Sequence, residues 1–374
     1  HNIAFHIKDT RKVPIPHNQF TMQHLCQPYP EQIEAAQVCK KYTRGIISAP
    51  TGVGKSLIAA LIIEALQVNT LIVTPSLELK RQLLESMQRA FGTTFVGELG
   101  SPIAVCNVQA LDPNIPVKYD CLIIDEFHHS GAKTYQLLNK KAWNGIYYKI
   151  GLTATPWRTQ ETERLLLESV LSQIIYRITY IDAINANYIS PVQAYYVESP
   201  IKSTEARIWA KVYADLVVHN KPRNELIVDL LESLYKANKS TLCLVKEIQH
   251  GNNLVELLAA RGLSIPFVSG VADEDPSIEI NRFNRNQTPV LIGTTGIIGE
   301  GVDTKPTEYV IIAGLGKAKG QFMQQVGRGV RRYGSKESCK VILIKDKSHK
   351  WTLNHFNAQV RVLKEEYNII PILL

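Results

Sequence analysis

Nowhere in the 374 residues does an apolar run approach the roughly 18 residues that a bilayer-crossing helix needs; Leu57–Ile63 is among the longest. No signal-peptide pattern opens the chain, whose first residues include His1, His6, Lys8 and Asp9. Cysteine is sparse and scattered. The six residues (Cys26, Cys39, Cys106, Cys121, Cys243, Cys339) form no CxxC pair, so neither a zinc site nor a disulfide framework is expected. They read as reduced thiols in a cytoplasmic protein with no membrane partner. Low-complexity tracts and short-period repeats are also missing. A start on His1 rather than Met is expected of a fragment or of a tag remnant.

With 45% hydrophobic and 20% charged residues the composition is that of a globular protein. The length exceeds one ordinary core and suits two domains. A net charge of +8 favours a polyanionic partner. Short β-rich runs alternate with helical patterns, the arrangement of a parallel sheet with crossover helices. Strands are expected at 45–49, 70–74, 103–106, 121–125 and 149–152, then at 241–245, 266–269, 290–294, 309–313 and 340–344. Between them the alternation lapses around Pro191, Pro200 and Pro222. The expected organisation is an N-terminal segment at 1–24, a first α/β domain at 25–190, a connection at 191–224 and a second domain at 225–374.

Ala49-Pro50-Thr51-Gly52-Val53-Gly54-Lys55-Ser56 follows one expected strand and opens an apolar helix. This is the context of a P-loop: glycines let the backbone wrap phosphates, and a helix N-terminus faces the anion. Lys55 then reaches the β- and γ-phosphates of ATP and the Ser56 hydroxyl ligates Mg²⁺. Ala49 stands where the first glycine is usual. Asp125-Glu126-Phe127-His128 ends the apolar strand beginning at Cys121. An acidic pair at the carboxyl end of a buried strand is costly unless a cation or a reaction uses it. Asp125 suits the Mg²⁺ carboxylate and Glu126 the base that activates water. A functionless glycine turn and a helix-capping acidic pair are the plainer alternatives for the two segments taken singly.

These residues, with Leu152–Pro156 and Gln324–Arg331, resemble motifs I, II, III and VI of the superfamily 2 helicases, in order, over about residues 25–350. The resemblance implies two tandem RecA-like α/β domains, each a mainly parallel sheet with helices on both faces. It implies that Gln32 reads adenine, that Pro50, Thr51, Gly52, Val53 and Gly54 wrap the nucleotide, and that Arg328 and Arg331 act as arginine fingers. His128, Thr153, Thr155 and Gln324 would couple phosphate chemistry to movement. Gly293–Gly296 and Gly299–Asp303 resemble motif V, with Thr294 and Thr295 on nucleic acid and Gly301 and Asp303 on nucleotide. Thr74, Pro75 and Arg81 in one domain, and Ser269 and Gly270 in the other, match backbone-phosphate contacts. Arg332 reads as a solvated or DNA-facing charge.

Gly151–Arg158, Leu244–Gly251 and Ile297–Asp303 are more narrowly similar to phage helicases of the UvsW type, which remodel forked and four-way DNA. One chain supplies both halves of such an ATP site, so a monomer suffices. An RNA helicase, a pure duplex translocase, a non-catalytic nucleic-acid-binding module and a small-molecule kinase are the rival readings. The loop 133–144, with Tyr135 and Trp143, is a candidate separating pin, although core packing is the plainer use of both rings. Trp351 and Phe356 are expected to pack.

Overall fold

A computed structural model describes residues 11–23, 27–112, 118–128, 143, 145–155, 171–270, 275–299, 304, 307–332 and 336–374. The chain divides into two compact units: His1–Ser48 with Gly54–Arg177, and Ala49–Val53 with Ile178–Leu374.

The described elements of the first unit run α1 (Pro30–Lys41), β1 (Arg44–Ser48), α2 (Lys55–Leu66), β2 (Thr70–Thr74), α3 (Leu77–Phe91), β3 (Val96–Gly97), β4 (Ile103–Asn107), β5 (Cys121–Ile124), β6 (Tyr148–Thr153) and β7 (Ile174–Arg177). Its sheet is parallel throughout, in the order β3-β4-β2-β5-β6-β1-β7. β2, β4 and β5 are buried at every position, as parallel strands covered on both faces must be. Apolar, β-branched runs such as Thr-Leu-Ile-Val-Thr supply that burial. α3 is the amphipathic counterpart: it turns Leu83, Met87, Ala90 and Phe91 inward and leaves Glu78, Arg81 and Glu85 in solvent.

The second unit runs α4 (Tyr180–Asn185), β8 (Val192–Glu198), α5 (Trp209–Tyr213), which continues as a π-turn to Val218, α6 (Lys221–Lys236), β9 (Thr241–Val245), α7 (Ile248–Ala260), β10 (Phe267–Val268), α8 (Pro276–Asn284), β11 (Val290–Thr294), α9 (Thr295–Gly299), β12 (Tyr309–Ile312), α10 (Lys319–Val330), β13 (Cys339–Lys345), α11 (Lys350–Tyr367) and β14 (Ile372–Leu373). Its sheet is also parallel, in the order β10-β11-β9-β12-β13-β8-β14. Counted from the first strand of each sheet, the two orders are the same, 3-4-2-5-6-1-7.

One expectation is corrected. The stretch 191–224 is no bare connection: seven of its residues form β8, paired along its whole length with β13, and α6 begins within it. The described part of the N-terminal segment packs onto the first unit. Phe20 and Met22 are 1% and 3% exposed. The Phe20 N–H donates to Gln67 Oε1 at 2.6 Å, and the Met22 N–H to Glu64 Oε1 at 3.0 Å, so both are moored to α2. The five described cysteines are free and buried, and burial pushes the Cys106, Cys121, Cys243 and Cys339 thiols up to about 12. Cys26 lies outside the described residues. Among the described residues, no helix is long and apolar enough to cross a membrane.

Candidate active site

The P-loop leaves β1 and enters α2 through two left-handed glycines, Gly52 at φ +93° and Gly54 at φ +82°. Only glycine adopts such angles without steric cost. No side chain caps α2, and its first turn holds no acidic residue. Its leading N–H groups therefore suit an anion, which is the fit expected of a nucleotide phosphate. Ser56 is exposed and Lys55 half-buried on that first turn. Gln32, only 2% exposed, lies against the loop: a Cβ on Gly54 would meet its Nε2 at 2.8 Å. Its Oε1 accepts the Tyr29 N–H at 2.8 Å, which fixes the carboxamide at the start of α1.

The acidic turn follows β5. The Asp125 N–H donates to Val73 O at 2.9 Å, extending the β2–β5 ladder by one residue. Glu126 then turns left-handed at φ +46°. Its carboxylate faces two partners: Lys55 Nζ is 3.3 Å from Oε1, and His128 Nδ1 is 3.4 Å from Oε2. His128 Nδ1 also lies 3.1 Å from Thr153 Oγ1, which accepts the Thr155 N–H at 3.1 Å. Lys55, Glu126, His128, Thr153 and Thr155 thus form one continuous polar chain across three loops. Phe127, which sequence reasoning left without a role, anchors the turn. It is fully buried, and a Cβ on Gly151 would meet its ring at 2.7 Å and Leu171 at 2.5 Å. Gly151 sits on β6, so the glycine and the aromatic are signals that become meaningful only once β5 and β6 are paired.

Burial, and then the neighbouring Glu126, hold the Asp125 carboxyl above the ordinary carboxylate range, while Lys55 opposes the shift. A hard divalent cation would restore the charged form, and with the Ser56 hydroxyl it would have two oxygen donors of the kind Mg²⁺ takes. The residues present fit Mg²⁺.

In the second unit, α10 carries the arginine motif. Arg328 is 6% exposed, Arg331 is half-buried at the helix end, and Gln324 is half-buried one turn before Arg328. Arg332 is exposed but engaged, its Nη1 donating to Asn187 O at 2.9 Å. Thr294 and Thr295 are 6% and 8% exposed where β11 meets α9, and Gln321 Nε2 donates to Thr295 Oγ1 at 3.5 Å. Ser269 is buried, and Gly270 beside it is exposed. Gly301, Asp303, Pro156 and Tyr135 lie outside the described residues.

The expected nucleic-acid contacts of the first unit need revision. Thr74 is fully buried and its hydroxyl already donates to Ser76 O at 3.1 Å, so it is spent within the chain. Pro75 is half-buried beside it. Arg81 is exposed, yet it pairs with Glu78 at 2.7 Å and Glu85 at 3.1 Å, so a phosphate would have to compete with two carboxylates. Trp143, at 4% exposure, belongs to the first unit's core. Phe356 packs against Tyr196, and Trp351 against Trp209.

The family model described as "Type III restriction enzyme, res subunit" matches residues 25–158, and that described as "Helicase conserved C-terminal domain" matches 223–333. The DNA 3'-5' translocase XPB2 of Sulfurisphaera tokodaii is 25% identical, over 80% of this chain and 78% of its own length. The ATP-dependent DNA helicase uvsW of Enterobacteria phage T4 is 21% identical, over 80% of this chain and 64% of its own. Relatives from a Sulfolobus islandicus filamentous virus and from Saccharomyces cerevisiae are spanned over 64% and 47% of their lengths. The crystal structure of the Pyrococcus furiosus Hef helicase domain superposes with a TM-score of 0.61 at 14% identity, covering 89% of this chain and 98% of that one. Saccharomyces cerevisiae Dbp5 bound to RNA and ADP BeF3 superposes with a TM-score of 0.64 at 16% identity, covering 93% and 90%. Both show the fold. With its two domain models matched in order and uvsW among its relatives, the chain belongs to the superfamily 2 helicases and resembles their UvsW type.

Proposed function

We propose that the chain is an ATP-driven motor that moves along DNA and remodels forked and four-way junctions. The observation that carries the reading is the polar chain from Lys55 through Glu126 and His128 to Thr153. It joins the phosphate loop to the loop after β6, so an event at the γ-phosphate has a route into the rest of the unit.

A triphosphate offers Lys55 stronger anionic partners than Glu126, leaving that carboxylate to orient and deprotonate the attacking water. The freed His128 then holds Thr153 in its place. Ser56 and Asp125 would hold Mg²⁺, which neutralises charge on the phosphates when bound. Gln32, beside Gly54, takes the adenine edge, with a donor and an acceptor on one amide. Arg328 and Arg331 supply the cations that meet charge developing on the transferred phosphoryl group, and such a residue is worth roughly 10³–10⁵ in rate. Gly301 and Asp303 are assigned to nucleotide, and Thr295, Ser269, Gly270 and Thr294 to the nucleic-acid side through their loops' backbones.

DNA is favoured as the track because two relatives carry DNA in their names, a translocase and a helicase. Branch movement suits a two-domain motor energetically. Opening duplex costs about 1.4 kcal/mol per base-pair step, whereas exchanging one duplex for its equivalent costs almost nothing net. A pure duplex translocase is the second reading, favoured by the match of residues 25–158 to a restriction-enzyme subunit.

ATP hydrolysis by the purified chain, measured with single-stranded DNA, blunt duplex, forked and four-way DNA and RNA, tests the reading. Stimulation greatest with branched DNA supports it. Equal stimulation by blunt duplex selects the translocase, stimulation by RNA alone moves the chain to another branch, and no turnover with any polymer refutes a motor.

A further inference from the structure

We infer that Lys336 is a positioning residue for the arginine helix, fixing the backbone from which Arg328 and Arg331 project. This rests on reading those arginines as the cations of ATP hydrolysis.

An α-helix leaves its last four carbonyls without partners inside the helix. Many helices solve this with a left-handed glycine just beyond the end, whose backbone N–H turns back onto those carbonyls. At the end of α10 the chain does otherwise. Arg331 is extended, with φ −61° and ψ 136°, so it carries the chain straight away from the helix. The carbonyls are instead collected from outside. Lys336 Nζ donates to Gly329 O, to Arg331 O at 2.8 Å and to Thr307 O at 2.9 Å. All three ammonium donors are thereby used. The carbonyl between, Val330 O, accepts the Ser190 N–H at 2.7 Å. Three consecutive carbonyls, 329 to 331, are therefore tied, two of them by one side chain.

The site suits a cation. The C-terminal end of a helix carries partial negative charge, and an ammonium there is favoured. Burial lowers the pKa of Lys336 below the ordinary lysine value, while Cys339 and Glu308 oppose the shift. On its other face the same turn is pressed flat: a Cβ on Gly329 would collide with Cys339 Sγ and with Val310 Cγ2 at 2.8 Å. The turn is thus clamped between the sheet and the lysine. The Arg331 carbonyl and the Arg331 side chain share one Cα, so fixing the first fixes the origin of the second. Each of these three bonds from Lys336 ends on a backbone carbonyl, so its hold on the arginines runs through the main chain.

The test is steady-state ATP hydrolysis by the full chain with its stimulating polymer, comparing wild type with Lys336→Met, Lys336→Arg, Arg331→Ala and the Lys336→Met/Arg331→Ala pair. A displacement near 1 Å at a catalytic group can cost about 10²-fold, so Lys336→Met is expected to lower kcat by roughly 10- to 100-fold. KM for ATP should stay within about threefold, the pattern of a loss confined to the transition state. Lys336→Arg, which keeps charge and donors, should recover most of kcat. The double variant should lose less than the product of the two single losses, since the part of Lys336 that acts through Arg331 is already gone and only its hold on Arg328 remains. If Lys336→Met does not fold, Lys336→Gln, neutral but still a donor, is measured by the same criteria. Wild-type kcat in the Lys336 variant beside a disabled Arg331→Ala overturns the inference, as does full additivity in the double variant. A normal kcat in Arg331→Ala instead removes the arginine reading, and this inference with it.

Discussion

Glu126 is held in a conformation that most residues avoid. A left-handed, non-glycine backbone costs of order 1–3 kcal/mol, a cost met when the surroundings over-determine it. Here they do, through buried Phe127 on one side and the Asp125 N–H in the sheet ladder on the other. The result points the carboxylate at Lys55. Glu126→Gln keeps the size and the turn but cannot take a proton. ATP binding should persist while turnover falls by roughly 10²–10⁴-fold, the range for a lost general base. Nucleotide binding and single-turnover hydrolysis check this, and unchanged turnover would take the base role from Glu126. Lys55→Ala should abolish turnover through a different loss, that of the phosphate cation, with DNA binding largely kept. Lys55, Asp125 and Glu126 were legible in the sequence because each sits beside a strand end that the apolar pattern marks. Phe127 was not, because its partner Gly151 is distant in sequence and adjacent only across paired strands. The pairing of Arg81 was a matter of helical spacing: Glu78 and Glu85 stand three residues before and four after it, and both lie on its face.

At the scale of elements, α10 depends on glycine for its seat. Gly329 lets the helix lie directly on β12 and β13, against Val310 and Cys339. Gly329→Ala gains helix propensity worth about 1 kcal/mol, yet forces the helix off the sheet, an overpacking cost of typically 1–3 kcal/mol. The variant should be less stable and should lose kcat more than affinity for ATP. Thermal unfolding and ATPase kinetics report the two effects, and a more stable variant of normal rate would show that the contact is slack. The strands that sequence pattern found, such as β2, β9 and β11, are buried at every position and read as continuous apolar runs. β8 escaped because it is covered unevenly. Its Val-Gln-Ala-Tyr-Tyr-Val-Glu pattern exposes Gln193 and Glu198, and Pro191 and Pro200 bracket it, so polarity and proline together resemble a linker. β3 and β14, of two residues each, leave too short a pattern to detect.

At the scale of the molecule, acid should weaken the second unit before neutral pH does. His355 is pushed down to about 4 by burial, then by Lys317 and Lys246. His250, fully buried, is held well below the ordinary value by burial and then by Arg223. Between the ordinary histidine value near 6.5 and about 4, the unfolded chain binds a proton at position 355 that the folded chain refuses. Stability therefore rises with pH across that window and falls on acidification. A loss of about 1–3 kcal/mol between pH 6.5 and 4 is expected from this residue. Denaturant unfolding of wild type and His355→Gln across the window checks it, and parallel curves would remove His355 as a cause.

Both sheets place their first strand, made earliest, between strands made last. β1 begins at Arg44, but its neighbours β6 and β7 begin at Tyr148 and Ile174. In the second unit β8 begins at Val192 and waits for β13 at Cys339 and β14 at Ile372. On a ribosome, then, the strand that bears the phosphate loop is the first of its sheet to emerge and among the last to find a place. Until β6 arrives, it has unsatisfied backbone along both edges, and each unit closes in a single late step rather than by steady growth. A nascent chain arrested before Tyr148 should be a client of the chaperones that shield such edges, whereas one released after Arg177 has every strand its first sheet requires.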